Sequence, residues 1–107
     1  MNLCAKQRFD STESKMNKIY SECLKLLSKR AKEAREDSLN TGDEQVDSIF
    51  VLSQQKWLDY RKSNCKTYEV LYFKASMRPM VLSNCYESLT SERIQQLEAL
   101  LEEINQN

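Results

Sequence analysis

The groups in this 107-residue chain that could do chemistry are four cysteines, an arginine close behind the single tryptophan, and 16 carboxylates. Cys4, Cys23, Cys65 and Cys85 lie far apart in sequence, with no CxxC pair of the kind that holds zinc or exchanges thiols. The chain has no histidine, so the commonest general base, the usual serine or cysteine triads and imidazole metal sites are all missing. No spacing among the carboxylates singles out an acid/base pair. What remains for the cysteines is crosslinking. Four in so short a chain fit an exported, disulfide-stapled domain, although four buried thiols in a cytosolic protein give the same count. Trp57, Tyr60 and Arg61 could form a stacked aromatic and cationic ligand site. A tryptophan on the apolar stripe of a helix is read first as core, however, with Arg61 one turn on lying against its ring. The expectation is a protein with no catalytic residue, no cofactor and no metal.

Sixteen Lys and Arg balance the 16 carboxylates, for a net charge of +0. This supplies none of the long-range attraction used by nucleic-acid binders or polybasic membrane anchors. No apolar run approaches the ~18 residues of a membrane span. One glycine, one proline and 30% charged residues leave too little turn punctuation for an all-β domain and suit long helices. Residues 1–107 are short enough to read as one domain.

The elements that must position these side chains follow from apolar periodicity. Phe9, Met16, Ile19, Tyr20, Cys23, Leu26, Leu27, Ala31 and Ala34 recur at the three-four step of one helical face, predicting a helix over 11–37. Asp10 and Glu13 have the spacing of a capping box, with Phe9 just outside as a staple. Residues 38–43 collect turn formers and Gly42, the connection to a second helix over 44–75. Along that helix Val46, Ile49, Phe50, Ser53, Trp57, Tyr60, Asn64, Tyr68, Leu71 and Ala75 form one stripe. Val51, Leu58, Cys65 and Tyr72 form another, a quarter turn or more around the axis. Two stripes imply two partners and a central position. Pro79 interrupts the pattern, a short helix follows over 80–86, and Thr90 is read as the N-cap of a last amphipathic helix through Ile94, Leu97, Leu101 and Ile104. Helix then covers roughly three quarters of the chain, against a base rate of about a third. The fold class is all-α: a small bundle of three to four helices with a long central helix, stabilised by disulfides.

The segment Gln54-Gln55-Lys56-Trp57-Leu58-Asp59-Tyr60-Arg61-Lys62-Ser63-Asn64-Cys65 resembles the signature of the LprI-like domain of bacterial exported proteins. Three further blocks match in order: Asn2-Leu3-Cys4-Ala5, Met16-Asn17-Lys18-Ile19-Tyr20, and Cys85 with Leu89-Thr90-Ser91-Glu92-Arg93. Together they span nearly the whole chain. The resemblance implies an all-helical, exported or lipid-anchored bacterial domain whose namesake inhibits lysozyme. It marks Tyr20, Trp57, Tyr60, Arg61 and Arg93 as the structural motif. Met1 to Ala5 show no basic segment followed by an apolar stretch, so a periplasmic or secreted protein of this sequence is expected to have lost its leader.

Cys65 on the second stripe and Cys85, past the proline-containing bend, are the favoured disulfide pair, worth about 3 kcal/mol in the chain-entropy model. Cys4 and Cys23 could pair only if the residues before Asp10 folded back, since on one straight helix they would stand about 28 Å apart. Cys23 reads equally well as a small buried hydrophobe.

For a function without chemistry, the surface matters. Lys18, Lys25, Lys29 and Lys32 share a face with Glu22 and Glu36 and read as a solvated surface. Glu33, Glu36, Asp37, Asp43, Glu44 and Asp47 gather at the first interhelical turn, where they could steer a basic partner such as a lysozyme. Leu52, Val70 and Phe73 fall outside both stripes: either the last helix covers them, or they form an exposed apolar patch that marks a partner or dimer surface. Lys74, Met77 and Arg78 sit at the bend, where a cation could reach the paired carboxylates of a glycosidase cleft. The expected partner is therefore a protein: lysozyme or a related peptidoglycan hydrolase, blocked by surface complementarity. An immunity or periplasmic partner for another cell-wall enzyme or toxin, or an assembly protein, are the alternatives.

Overall fold

A computed structural model describes residues 3–37 and 42–106 of the chain, with side chains from residue 6 onward. It contains three helices, α1 (Leu3–Asp37), α2 (Val46–Leu71) and α3 (Arg78–Gln106). No strand occurs among the described residues. Contacts give the topology. Phe9 meets Tyr86, Cys23 meets Leu97 and Arg30 meets Ile104, so residue numbers rise together and α1 and α3 run parallel. Glu13 meets Arg61, Met16 meets Gln54 and Tyr20 meets Phe50, so α2 runs antiparallel between the ends of the other two. The result is an elongated up-down-up bundle of 58 × 22 × 16 Å.

Each helix follows its buried spacing. On α1 the buried residues are Met16, Cys23, Leu27, Ala31 and Ala34, the three-four step of one face. On α3, Ser83, Thr90, Leu97 and Ile104 repeat every seventh residue, with Ile94 buried between them. A strict heptad keeps one seam facing its partners over the whole length. The central core gathers Met16, Cys23, Leu27, Phe50, Ile94, Leu97 and Ile104.

Three expectations are corrected, and one alternative left open by the sequence is decided. First, α1 starts at Leu3 rather than near Asp10, which is an exposed residue inside the helix. Residues 5–8 are strong helix formers. They are also given a surface to dock on, because Phe9 packs edge-on against Tyr86 at 5.5 Å and Arg8 reaches Glu87 at 3.7 Å. Tertiary packing supplies most helical stability, so the partner outweighs the local capping signal.

Second, α3 is one helix, with no break between 86 and 90. Thr90 is not a cap: its hydroxyl donates to the Tyr86 carbonyl one turn back at 2.7 Å and the residue is 0% exposed. The hydroxyl also accepts from Arg61 of α2, so this buried mid-helix threonine leaves no polar group unpaired. Pro79 sits in the first turn of α3, where its missing N–H is harmless.

Third, α2 is not wrapped on two sides. Its buried residues, Phe50, Gln54, Arg61 and Cys65, form one stripe that runs between the two expected ones, while Ile49, Leu52, Tyr60, Val70 and Leu71 are exposed. Helices of a three-helix bundle meet both neighbours with one broad face, so two partners do not require two faces. The helix also ends at Leu71, short of Ala75.

Fourth, Cys23 is a free buried thiol, its sulfur 3.6 Å from the Leu97 carbonyl. The continuous α1 contains no fold-back at Asp10, which a bond to Cys4 requires. The side chain of Cys4 and most of the first turn, residues 38–41, lie outside the described residues. Burial, with the nearby Glu22 carboxylate, raises the Cys23 thiol above its ordinary value, against a smaller opposing pull from Arg93. Iodoacetamide at about pH 8 should therefore modify the Cys23 peptide only after denaturation, as mapped by mass spectrometry. Labelling of that peptide in the native protein would show that the α1–α3 seam opens readily.

Candidate functional site

Arg61 lies at the middle of the bundle, 8% exposed, and every helix contributes to holding it. From α1, Glu13 takes a bidentate pair, with Nη2 to Oε1 at 3.2 Å and Nη1 to Oε2 closer. From α3, Thr90 Oγ1 accepts from Nη1 at 2.9 Å. Three rings surround the guanidinium: Trp57 at 5.0 Å, Tyr86 at 5.3 Å and Phe9 at 5.5 Å from their centroids. A planar, delocalised cation suits this setting because it pairs a carboxylate through its edge while its faces stack on aromatics. Its buried Nε has no hydrogen-bond partner among the described residues.

A second arginine also lies against Trp57. Arg93 of α3 lies 5.8 Å from that ring, donates from Nε to Gln54 Oε1 at 2.9 Å, and reaches Gln96 at 3.1 Å and Ser53 at 3.2 Å. Burial draws its guanidinium below the ordinary arginine value, with Cys23 and Tyr20 pulling the other way. Gln54 in turn lies against Met16 of α1, so this network also ties the three helices. Tyr20 stacks on Phe50 with centroids 5.0 Å apart. Tyr60, grouped with the motif from the sequence, is 54% exposed on the outer flank of α2 and takes no part.

Cys65 and Cys85 form a disulfide with their Cα atoms 5.7 Å apart, joining α2 to α3 one turn beyond Arg61. Trp57, Arg61 and Arg93 thus converge on a polar and aromatic node whose central guanidinium is buried, with Tyr20 stacked on Phe50. Glu13, Phe9, Gln54, Tyr86 and Thr90 were not assigned to it by sequence reasoning. The available signal was Glu13, which shares the buried stripe of α1 with Met16 and Cys23: a buried arginine needs a carboxylate on a facing helix.

The open surface lies past the disulfide. After Leu71 the chain turns through successive N–H to carbonyl bonds, Tyr72 to Tyr68, Phe73 to Val70, Ala75 to Tyr72 and Arg78 to Ala75. This presents Leu71 at 72%, Phe73 at 66% and Met77 at 47% exposure. Arg78 does not project freely: its guanidinium lies 5.6 Å over the Phe73 ring, pairs with Glu69 at 3.6 Å and bonds the Phe73 carbonyl. Lys74 is exposed beside it, with no ion pair among the described residues. Leu52 is exposed too, but five turns from Val70 on the same line of α2, about 27 Å away, so the structure does not bring it to this tip. The acidic residues of the first turn are at the opposite end of the bundle, where Arg35 bonds the Glu44 carbonyl and pairs with Asp47. Among the described residues no cluster of His, Cys, Asp or Glu is placed to hold a metal, and no helix is long and apolar enough to cross a membrane.

Known proteins bear on this arrangement. An uncharacterized protein of Rhizobium meliloti (strain 1021) is 29% identical over 106 residues, which cover 95% of this chain and 72% of the relative. No solved structure matches the chain. The match that decides kinship takes in the whole node and the disulfide: residues 1–97 fit the family described as lysozyme inhibitor LprI, and the chain belongs to that family.

Proposed function

We propose that this protein is an exported bacterial inhibitor that blocks lysozyme or a related peptidoglycan hydrolase by docking its α2–α3 tip into the enzyme's cleft. The observation that carries this reading is the tip itself, where Leu71, Phe73 and Met77 stand exposed at the end of a bundle whose core is complete without them. Exposed apolar side chains that cluster in this way mark partner surfaces. Family membership supports the choice of partner. The protein performs no reaction of its own: its contribution is shape, an apolar anchor in Phe73, and a cation, Lys74, able to meet the paired carboxylates of a glycosidase. Arg78 stiffens the turn through Glu69 and Phe73. Stiffening lowers the ordering penalty of binding. The Cys65–Cys85 bond supports work in an oxidising compartment, periplasmic or extracellular.

The test is a lysozyme turbidity assay with purified, oxidised protein. Inhibition is expected, weakened about tenfold or more by Phe73→Ala or Lys74→Glu and unchanged by Leu52→Ala, with all three variants melting like the parent. Absence of inhibition at high micromolar protein against several lysozyme classes would remove this target, and equal potency of the tip variants would remove the tip.

A further inference from the structure

Beside the tip, on the flank of α2 and α3 behind the disulfide, lies a groove of about 360 Å³, within the size range of small-molecule sites. Asn64 and Tyr68 come from α2, and Val81, Asn84, Ser88 and Leu89 from α3, with Cys85 of the disulfide as part of its floor. None of these residues carries a charge. Among the described residues Asn64 is engaged only by its amide nitrogen, on the Cys85 sulfur at 3.6 Å, and sulfur is a weak acceptor. Asn84, Ser88 and the Tyr68 hydroxyl have no hydrogen-bond partner among the described residues, and Tyr68 is 42% exposed.

The chemistry of the lining selects among ligands. A phosphate or carboxylate would find no cation here, and a cationic ligand no carboxylate. A purely apolar segment would strip water from Asn64, Asn84 and Ser88 without replacing their hydrogen bonds. Two amides and a hydroxyl, each able to donate and accept, next to one aromatic face and two aliphatic side chains, match a molecule that is neutral, rich in hydroxyl or acetamido groups, and flat on one face. That is a saccharide ring. The two helices are held at this level by the disulfide, so the groove is preformed.

We infer that this groove is a binding site for a neutral saccharide of the amino-sugar class, such as a glycan chain of the cell wall. Tyr68 stacks on the ring face while Asn64, Asn84 and Ser88 bond its hydroxyl and acetamido groups. The site is distinct from the tip, so the protein could be held on glycan while the tip remains free for an enzyme.

The experiment needs no lysozyme, so its outcome is independent of the inhibitor reading. Isotope-labelled, oxidised protein is titrated with the N-acetylglucosamine tetramer and followed by amide chemical shifts. Saturable shifts confined to residues 64–68 and 81–89 are expected, with a Kd of about 1 mM weakened roughly tenfold in both Tyr68→Ala and Asn84→Ala. Both substitutions are at exposed positions, and an unchanged melting curve confirms the fold. No saturable shift up to about 20 mM sugar, shifts centred elsewhere, or equal binding by both variants would overturn the site. Saturation by a neutral peptide but not by the sugar would overturn the ligand class.

Discussion

Replacing Arg61 by methionine is expected to destabilise the fold by about 3 kcal/mol, lowering the thermal midpoint by roughly 10–20 °C. Methionine fills similar volume, so the loss is not mainly a cavity. It comes from what is left behind: a Glu13 carboxylate that is only 27% exposed, a Thr90 side chain that is fully buried, and three rings deprived of the cation between them. Breaking a buried ion pair from one side is generally more harmful than replacing both members by apolar groups. The partial exposure of Glu13 places the expected value at the lower end of that range. Arg61→Lys should recover little, because a compact ammonium cannot hold the carboxylate in a fork while lying against the three surrounding rings. Asp59→Ala and Lys62→Ala, exposed neighbours on the same helix, serve as controls with near-parental melting. A thermal midpoint for Arg61→Met within about 2 °C of the parent would mean the node contributes little.

A double-mutant cycle refines this result. Combining Arg61→Met with Glu13→Gln should yield less than the sum of the single effects, because the two side chains lose the same interaction. Strict additivity would count against the pair as the organising contact. Restoring stability by an all-apolar node, with Glu13 and Thr90 replaced as well, would show that the polar arrangement fixes helix register rather than adding net stability.

Removing the Cys65–Cys85 bond, by reduction or by the double substitution Cys65→Ala and Cys85→Ala, is the second large effect. The bond closes a loop of sequence separation 20, which in the chain-entropy account is worth about 3 kcal/mol. The damage should be uneven. The core cluster lies along the far half of the bundle, on Cys23, Leu27, Phe50, Leu97 and Ile104, whereas the segment between the two cysteines exposes most of its apolar side chains. Amides of the last turns of α2 and the first turns of α3 should therefore exchange with solvent sooner than those around Leu97. Uniform loss of protection, or melting identical to the oxidised protein, would show that the tip is held by packing alone.

Legibility in the sequence was uneven for identifiable reasons. The faces of α1 and α3 could be read because their buried positions are mostly apolar and step by three and four. The Cys65–Cys85 pair could be read because one cysteine sits on a helix and the other shortly past a bend. The boundaries were misread at Asp10 and Thr90, where a locally reasonable cap is overruled: a neighbouring helix extends far enough to support a longer α1, and the Thr90 hydroxyl has partners inside the bundle. The α2 face was misread because two of its inward residues, Gln54 and Arg61, belong to types assigned to water.

The site divides along the same line. Residue order alone determined the all-helical class, the tryptophan and arginine motif, and a bend at Lys74, Met77 and Arg78, since these depend on local periodicity and turn chemistry; that Phe73 lies past the end of α2 and is exposed was decided by the structure. Only the assembled bundle decided that Arg61 is interior, that Glu13 is its counter-ion, that Tyr60 and Leu52 stand apart, and that Arg78 is tied down. Those facts depend on which side chains from distant segments meet. A buried charge is tolerated only where another part of the chain brings it a partner.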